Sequence, residues 1–580
     1  MKSSSLSLLP LVGFVALAVA VVGCATGSVV AEDDTLPDDI VDADGGTTPD
    51  GAPRPPTTCE PGKCPAGFYN LDGKGDGANC GCEYACTKKS EEDAFDIAFI
   101  DANCDGSDGM VNECVYVSTS IGNDTGDGTR QKPFKTIARA VVVAGAGTKK
   151  RPVCLSAEKY TEPVELPSGV SLYGGFNQAD PTFPFRRSLK NGTQDIATTI
   201  VAPTTGPTAG TGILIQEIKE EMHVENLTID VKIGEAQNGQ SVYGVRVGGG
   251  TGQLFLRKNV LLLGNANPGA GGTNGVPPSA TPAPNGNVGG NGCSNCSSFG
   301  QGGAAPTCSS PGGRGGNGSN GSGNDGAPGS PGAGGASGGG GGGGTSCISS
   351  GSGGPGGPGN PGAAGSVPAQ GGVGAASLGT VVTGLYVAAK GAAGPAGGNG
   401  GGGGGGGGGG SSARSWPICY DDGAGGGGSG GCGGAGGPGG GGGDGGGSVI
   451  GLLLGGATAV VEANVFTLGN GGAGGKGGTG ATGQPGGTGM GGGSPGPVAG
   501  TGGRGGNGGG GGSGAGGGGG AGGHSVRIAR APTAVVTEAT NTGTLGTAGT
   551  GGDGGSGGTG APAGTKGTAG LAKELLVVGN

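Results

Sequence analysis

Glycine recurs at every third position over long stretches of the C-terminal half, and this period constrains the fold more than any other feature. The phased stretches run from 471 to 492, from 502 to 520 and from 543 to 558. A three-residue period matches the extended left-handed helix with three residues per turn, in which glycine leaves a bare stripe for close packing. We therefore predict bundles of such helices for the phased stretches.

Two other interpretations apply to parts of the glycine-rich sequence. A collagen-like frame begins at Gly353 but lasts only a few triplets. Unbroken runs such as 401–410 suit a flexible linker, because glycine-rich chains lose much entropy on ordering, and we predict mobile loops there. The phased segments also resemble the glycine-rich domains of PE-PGRS proteins and of some glycine-rich antifreeze proteins.

Composition confines a conventional core to part of the chain. Of 580 residues 162 are glycine, and the aromatic residues are one Trp, eight Tyr and eleven Phe. The formal net charge of −10 argues against nucleic acid as a partner, because a basic surface supplies most of the affinity for it.

The N-terminus has the features of a targeting segment. Lys2 precedes an apolar run from Leu8 to Val22, which ends in the sequence VVGC. This sequence resembles the lipobox of bacterial lipoproteins, with valine where leucine is commoner. The resemblance implies a signal peptide over 1–23, acylation of Cys24 and anchoring in the membrane. Ordinary secretion is the alternative.

The residue after Cys24 is Ala25 and not Asp, so the same resemblance implies the outer membrane. The following residues, through position 58, are rich in Asp, Thr, Pro and Gly. Such a composition cannot bury a core, so we predict a disordered acidic tether over 24–58.

The remaining fourteen cysteines fall into three groups, each with an even count. This distribution predicts disulfides closed locally within each group, in an oxidising compartment. Cys293 and Cys296 form a C-x-x-C pair, for which a redox or zinc role is the alternative. The candidates are Cys59, Cys64, Cys80, Cys82, Cys86, Cys104, Cys114 and Cys154; Cys293, Cys296, Cys308 and Cys347; and Cys419 and Cys432.

A small disulfide-rich module is predicted over 59–114, and it contains DANCDGSDG. Asp101, Asn103 and Asp105 alternate before Gly106, as in the first half of a calcium-binding loop. Asn112 stands where the bidentate Glu of an EF-hand is expected. The segment is therefore either a calcium site, with calcium the one candidate cofactor, or a polar turn held by disulfides.

The sequence VYVSTSIGNDTGDGTRQKPFKTIARAVVVAG follows from Val115, and LPSGVSLYGGF lies further on. These segments resemble the opening of bacterial pectin-lyase-like right-handed parallel β-helix proteins, over about 112–260. The apolar spacing of Ile137, Ala140, Val141 and Ala144 predicts a helix over about 135–144. The resemblance implies the fold. It implies no particular reaction, since lyases, hydrolases, adhesins and inert scaffolds share the fold.

Strand-like segments beginning at Ser241, Ser448 and His524 repeat one pattern, with a shorter copy near Ala376, and each gives way to glycine-rich sequence. KELLVVGN reads as a closing strand. The predicted fold is therefore all-β: a right-handed parallel β-helix over 115–580 with polyglycine-II-like or disordered insertions, of which 470–523 is expected to be removable at little cost. The insertions lie at about 265–376, 391–447, 470–523 and 547–570.

The functional prediction follows from what the rungs offer. Their charged residues have no lyase or hydrolase motif around them, and the chain has only two histidines. The sequence favours a non-catalytic cell-surface lipoprotein with a structural, adhesive or glycan-binding role. A polysaccharide-cleaving lyase or hydrolase is the alternative, and an ice-binding protein is a remote one. The residues considered for catalysis are Glu225, Asp230, Arg246, Arg257 and Lys258.

Overall fold

The computed structural model describes residues 60, 63–75, 81–180, 183–187, 197–234, 237–348, 351–382, 384–413 and 421–579. The signal peptide, Cys24 and the acidic tether predicted for 1–58 lie outside these residues, as do Cys59, Cys80 and Cys419.

One helix and twenty-five short strands make up the regular structure of the described residues. The helix α1 spans Ile137–Gly145. The strands are β1 Phe68–Tyr69, β2 Tyr84–Ala85, β3 Val115–Val117, β4 Val153–Ser156, β5 Lys159–Tyr160, β6 Val164–Leu166, β7 Leu172–Phe176, β8 Thr198–Val201, β9 Thr211–Ile215, β10 Met222–Glu225, β11 Leu227–Val231, β12 Val242–Val247, β13 Gln253–Arg257, β14 Val260–Leu263, β15 Thr380–Val382, β16 Leu385–Val387, β17 Ser412–Ala413, β18 Asp421–Asp422, β19 Val449–Leu454, β20 Thr458–Glu462, β21 Val465–Leu468, β22 Ser525–Arg530, β23 Val535–Ala539, β24 Thr542–Thr544 and β25 Ala572–Val577.

Three parallel sheets wrap around one interior and form a β-helix, as the sequence predicted. Sheet A is ordered β23-β20-β13-β10-β7-β4-β3, sheet B β24-β21-β14-β11-β8-β5 and sheet C β25-β22-β19-β12-β9-β6. The chain visits A, B and C in turn, so each rung rests on the previous one. The strands after Ser241, Ser448 and His524 take consecutive places in sheet C, which confirms those three copies of the repeat.

Alternate side chains along each strand point inward and fill the interior of the coil. In β20 Ala459 and Val461 are fully buried, while the residues on either side are half-exposed. They belong to one continuous apolar cluster that also contains Phe134 and the buried face of α1, namely Ile137, Ala140, Val141 and Ala144. The helical spacing predicted there is confirmed, and α1 packs against the first strands of the coil.

Stacked asparagines mark the corner between sheets A and B. The Nδ2 of Asn259 donates to Oδ1 of Asn464 at 3.0 Å, and the Nδ2 of Asn464 donates to Oδ1 of Asn541 at 3.0 Å. These side chains satisfy backbone groups that a sharp corner leaves without ladder partners. The ladder therefore keeps successive rungs in register.

The first two of the four predicted insertions are parts of one excursion between β14 and β19, and the resulting three glycine-rich excursions leave the coil at one corner. They follow β14, β21 and β24 of sheet B and return into β19, β22 and β25 of sheet C. The excursions therefore start above one another and lie side by side. Backbone hydrogen bonds with a three-residue period join them, for example from Gly269, Gly272 and Gly275 to Ala473, Lys476 and Thr479. This is the bundle of extended helices predicted from the glycine stripe.

The unbroken run 401–410 lies in the middle of this bundle and is buried. Successive N–H groups donate in turn to three segments, 354–363, 327–333 and 425–431, and three further segments donate to the carbonyls of the run. A helix with neighbours on every side has no place for a side chain. The expectation of a mobile loop is therefore wrong, because every N–H of the run is hydrogen-bonded to another segment.

Two further expectations are corrected. The short copy near Ala376 is not a rung of the coil: β15 and β16 form an antiparallel hairpin that packs its Val381 and Tyr386 on the outer side of sheet C. The disulfides of the glycine-rich region are not all local either, since Cys308–Cys432 joins two distant segments of the bundle. Cys293 pairs with Cys296, and Cys347 is also disulfide-bonded.

The N-terminal module contains the antiparallel pair β1–β2 and the disulfides Cys64–Cys82 and Cys86–Cys104. A third disulfide, Cys114–Cys154, ties the module to β4 of the coil. The module is therefore fixed to the outer side of sheet A, where the charged residues of the coil lie.

Candidate functional site

Aromatic rings and charged side chains form rows along the outer side of sheet A. Tyr173, His223 and Phe255 stack on consecutive strands, with ring centroids 5.8 Å apart for the first pair and 4.7 Å for the second. In the sequence MHVE of β10, alternation places His223 and Glu225 on the same side of the strand. That alternation is the signal that could have added His223 to the residues considered for catalysis.

Glu225 is the centre of a charged row. Its side chain is fully buried, and its Oε1 lies 2.8 Å from Nδ1 of His223 and 3.8 Å from Nη1 of Arg257. Arg257 also reaches Glu462, with 3.4 Å between Nε and Oε2. Burial alone would lower the pKa of His223, but its hydrogen bonds to Glu225 and Glu221 outweigh burial and raise it. The row therefore holds paired charges across three rungs.

The N-terminal module covers one end of this row. Arg187 is buried in an ion pair with Asp108, and Glu225 Oε2 lies 3.8 Å from its Nη2. Burial raises the pKa of Asp108, and the charge of Arg187 opposes that rise. Lys258 donates from Nζ to the carbonyl of Ile97 at 2.8 Å. Much of the row is thus a junction between module and coil, and Arg187 and Asp108 were missed because their meeting is non-local.

The structure brings together three of the five residues considered for catalysis, namely Glu225, Arg257 and Lys258. The other two lie on different sheets. Asp230 is on sheet B, where its Oδ2 is 3.2 Å from Nζ of Lys232, and Arg246 is on sheet C beside the ring of Tyr243. No single cluster contains all five.

The predicted calcium loop is a compact turn of its own hydrogen bonds. The carboxylate of Asp101 accepts from the N–H groups of Asp105 at 3.1 Å and Gly106 at 2.8 Å, and from the hydroxyl of Tyr84 at 2.8 Å. Asn103 bonds to Asp105, whose pKa burial raises to about 6. Within the described ranges no three His, Cys, Asp or Glu side chains form a metal cluster. Calcium binding by Asp101, Asn103 and Asp105 stays a prediction.

The outer surface of the bundle is a second candidate. Two neighbouring helices run in register, since the N–H groups of Gly471, Gly474, Gly477 and Gly480 donate to the carbonyls of Thr547, Thr550, Asp553 and Ser556. Asparagines on the outer ridges accept from backbone N–H groups of the next helix, at 2.8–2.9 Å. The result is an outer surface on which short polar side chains, such as Thr482, Thr550 and Ser556, lie in parallel rows together with Ala473, Lys476 and Pro485.

Comparisons with known proteins are sparse. Residues 120–232 match the model of a protein family of unknown function, DUF1565. No curated protein matches the chain. Among solved structures, the chain is similar to two of the GH136 lacto-N-biosidase from Eubacterium ramulus, the native protein and its selenomethionine derivative. Identity is 14% in both, with 26% of this chain and 30% of that chain covered, at TM-scores of 0.15 and 0.13. The likeness thus spans less than a third of that enzyme, and scores this low establish no shared activity.

None of the helices in the described ranges is long and apolar enough to cross a membrane.

Proposed function

We propose that the protein is a non-catalytic lipoprotein of the cell surface, with a structural or adhesive role. The observation that carries the proposal is the outer surface of the glycine bundle, whose rows of side chains are held in register by hydrogen bonds between neighbouring helices. The β-helix serves as the spine on which this surface is built. The lipid anchor at Cys24, the outer membrane and the tether over 24–58 belong to the same proposal.

A surface of this kind suits repetitive ligands. Each exposed Thr, Ser or Asn offers one weak polar contact, and the rows repeat that contact at fixed spacing. Many weak contacts on a rigid array add up for a repetitive partner such as a surface glycan or another surface protein. Rigidity helps because little conformational entropy is lost when such an array binds.

The charged row supports a non-catalytic role as well. Glu225 is buried between His223, Arg187 and Arg257. The module packs against Arg187 through Asp108 and the ring of Phe99. A general acid or base must reach a substrate atom directly or through one water. The fully buried carboxylate of Glu225 cannot do so without displacement of the module.

One observation favours the alternative, a polysaccharide-cleaving enzyme. Glu221 keeps a partly exposed carboxylate 3.0 Å from Nε2 of His223. Glu462 keeps one beside Arg257, whose guanidinium lies over the ring of Phe255. Release of reducing ends or unsaturated products from polysaccharides, abolished by Glu462→Gln, would establish that alternative.

An ice-binding role would need unbroken rows of threonine on the outer surface of the bundle, and Lys476 and Asp553 interrupt these rows.

Fractionation of cells tests the proposal. The wild type is expected in the membrane fraction, because several acyl chains anchor a protein stably. Cys24→Ser cannot be acylated and is expected in the soluble extracytoplasmic fraction.

Adhesion to polysaccharide-coated surfaces should fall in a double variant Thr482→Glu, Thr550→Glu. The control that adds the same charge is the double variant Ala369→Glu, Gln370→Glu, at two exposed residues elsewhere in the glycine-rich region. Unchanged membrane association of Cys24→Ser, or equal adhesion by all variants, contradicts the proposal.

A further inference from the structure

Two adjoining cavities lie where the N-terminal module meets the first turn of the coil. The smaller has a volume of about 110 Å³, and the larger of about 350 Å³. Arg130 and Gln131 line both, so the two form one cleft, which we call the arginine cleft. Its smaller part is also lined by Asn112, Tyr116, Thr129 and Arg151, and its larger part by Leu71, Asp72, Lys74, Phe183 and Pro184.

Arg130 has a guanidinium without a polar partner. Among the residues that the structure describes it makes no hydrogen bond and no ion pair, and its Cζ lies 3.9 Å from the ring centroid of Phe183. Stacking on a ring fixes the plane of the guanidinium but leaves its N–H groups free to donate. The side chain is therefore oriented before any ligand binds.

Arg151 is held in a different way. Its Nε donates to the carbonyl of Glu113 at 3.0 Å, and its Nη2 to the carbonyl of Cys114 at 2.7 Å. Its Nη1 has no partner in the described part of the chain. Both guanidinium groups act on the hydroxyl of Tyr116, where they oppose the rise in pKa that burial causes. Arg130, Arg151 and Tyr116 all line the smaller cavity, so two positive charges face the same space.

Nearby carboxylates do not neutralise this pair. Asp72 lines the larger cavity, but its Oδ2 is 3.2 Å from Nζ of Lys74. Asp105 also acts on Tyr116, and its carboxylate bonds instead within its own loop, to Asn103 and Ser107. In a chain with a net charge of −10, two arginines without carboxylate partners are a local excess of positive charge.

We propose that the arginine cleft binds an oxyanion group, a carboxylate, sulfate or phosphate, between Arg130 and Arg151. Guanidinium groups match such oxygens in geometry, and charge-assisted hydrogen bonds are the stronger kind. The smaller cavity has room for one such group. The rest of the ligand lies in the larger cavity against Phe183, Pro184 and Leu71. The inference goes beyond the proposed function, because it involves neither the bundle nor the lipid anchor.

Calorimetric titration of the full chain with sulfate, phosphate and glucuronate, at constant ionic strength in chloride, tests the inference. At least one of the three is expected to bind saturably. Arg130→Gln is expected to weaken that binding about tenfold or more, since it removes a charge-assisted donor. Lys132→Gln is the matched control: it removes an equal charge two residues away, is exposed and lines neither cavity.

The probes also distinguish the ligand. Binding of sulfate or phosphate alone identifies a tetrahedral oxyanion, whereas tighter binding of glucuronate identifies a carboxylate on a sugar that fills the larger cavity. Arg130→Lys keeps the charge but loses the planar fork, so an intermediate affinity is expected even if Arg130→Gln folds poorly. Absence of saturable binding by all three probes overturns the proposal. Equal affinity of the wild type, Arg130→Gln and Arg130→Lys overturns it too.

Discussion

The β-helix and the glycine bundle lie side by side, and they use side chains in opposite ways. The interior of the coil is filled by Val, Leu and Ile, many of them with no exposed surface, such as Leu452 and Val461. The interior of the bundle has almost no side chains, since 401–410 is glycine throughout and is hydrogen-bonded on all sides. One region is stabilised by buried apolar surface and the other by backbone hydrogen bonds.

These two sources of stability differ in strength. Burial contributes roughly 25 cal/mol per Å² of apolar surface. A backbone hydrogen bond contributes a net of only about 1 kcal/mol, and glycine loses more conformational entropy on ordering than any other residue. The coil offsets part of this cost, because every excursion starts and ends at the same corner and is aligned with its neighbours from the outset. We conclude that the coil can form without the bundle more readily than the bundle without the coil.

The largest expected effect comes from a buried charge in the coil. On β21, Leu468 points into the interior of the coil and is 5% exposed, whereas Val465 points outward and is 40% exposed. Leu468→Asp should destabilise the protein by about 3 kcal/mol or more, because an unpaired buried charge is costly. Val465→Asp should cost less than about 1 kcal/mol. Chemical denaturation followed by circular dichroism measures both.

If Val465→Asp unfolds the protein as readily as Leu468→Asp, the strand does not have one buried side, and the contrast between coil and bundle fails. If both are silent, the stability of this half lies in the bundle.

The second effect concerns the disulfide within the bundle. Cys308 and Cys432 are 124 residues apart in sequence and join two neighbouring segments of the bundle, which are also paired by backbone hydrogen bonds such as that from Gly433 to Ser310. Replacing both with Ser should destabilise the bundle by about 2–4 kcal/mol, because a long loop is then free in the unfolded chain. Amide hydrogen exchange should quicken in the bundle and stay slow in the coil. Equal quickening in both regions would show that they unfold as one unit.

The sequence was informative wherever the determining pattern is local. Alternation and rung spacing predicted the strands after Ser241, Ser448 and His524, and the glycine stripe predicted the phased helices. The run 401–410 was misread because its order depends on six surrounding segments that are distant in sequence. The disulfide Cys308–Cys432 and the meeting of Arg187 with Asp108 are non-local in the same sense.

The hairpin near Ala376 was misread for another reason. Its strand-like sequence resembles a rung, but β15 and β16 pair with each other and not with the coil. The expectation that 470–523 is removable at little cost is not supported either. Its second half, 502–523, donates to segments on both sides, and 512–523 is buried throughout, so its removal would leave many carbonyl groups without partners.

The third effect tests whether the bundle interior tolerates any side chain. A Cβ at Gly405 would overlap the carbonyl oxygen of Arg314, whereas a Cβ at Gly340 would meet no atom within 4 Å. Gly405→Ala should therefore cost about 1–3 kcal/mol by overpacking. Gly340→Ala should be neutral or slightly stabilising, since alanine restricts the unfolded chain. Limited proteolysis and hydrogen exchange of the bundle segments measure the difference, and equal protection in the two variants would show that the interior is loosely packed.

The smallest effect lies at the junction of the two regions and depends on pH. His524 ends the second excursion and is fully buried. Its Nδ1 accepts from the N–H of Leu571 at 2.9 Å, and its Nε2 is 2.8 Å from the hydroxyl of Tyr386 and 3.0 Å from the carbonyl of Leu378. Burial lowers its pKa, although the Leu378 carbonyl opposes this. Since the folded protein holds the neutral ring, its stabilising contribution is present above the unfolded pKa of about 6.5 and is lost as the pH falls below it.

The stabilising contribution of the other histidine, His223, changes with pH in the opposite direction. Hydrogen bonds to Glu225 and Glu221 raise the pKa of His223, so its contribution is present below about pH 6.5 and is lost as the pH rises through the folded pKa. Between pH 7.5 and 5.5, His524→Gln should reduce the loss of stability on acidification, by about 1 kcal/mol. His223→Gln should increase that loss by a similar amount, since one unit of pKa corresponds to roughly 1.4 kcal/mol. Denaturation midpoints at the two pH values measure these differences. An identical pH dependence in the wild type and His524→Gln would show that the pKa of His524 is the same in the folded and the unfolded protein, and that the junction does not hold the neutral ring.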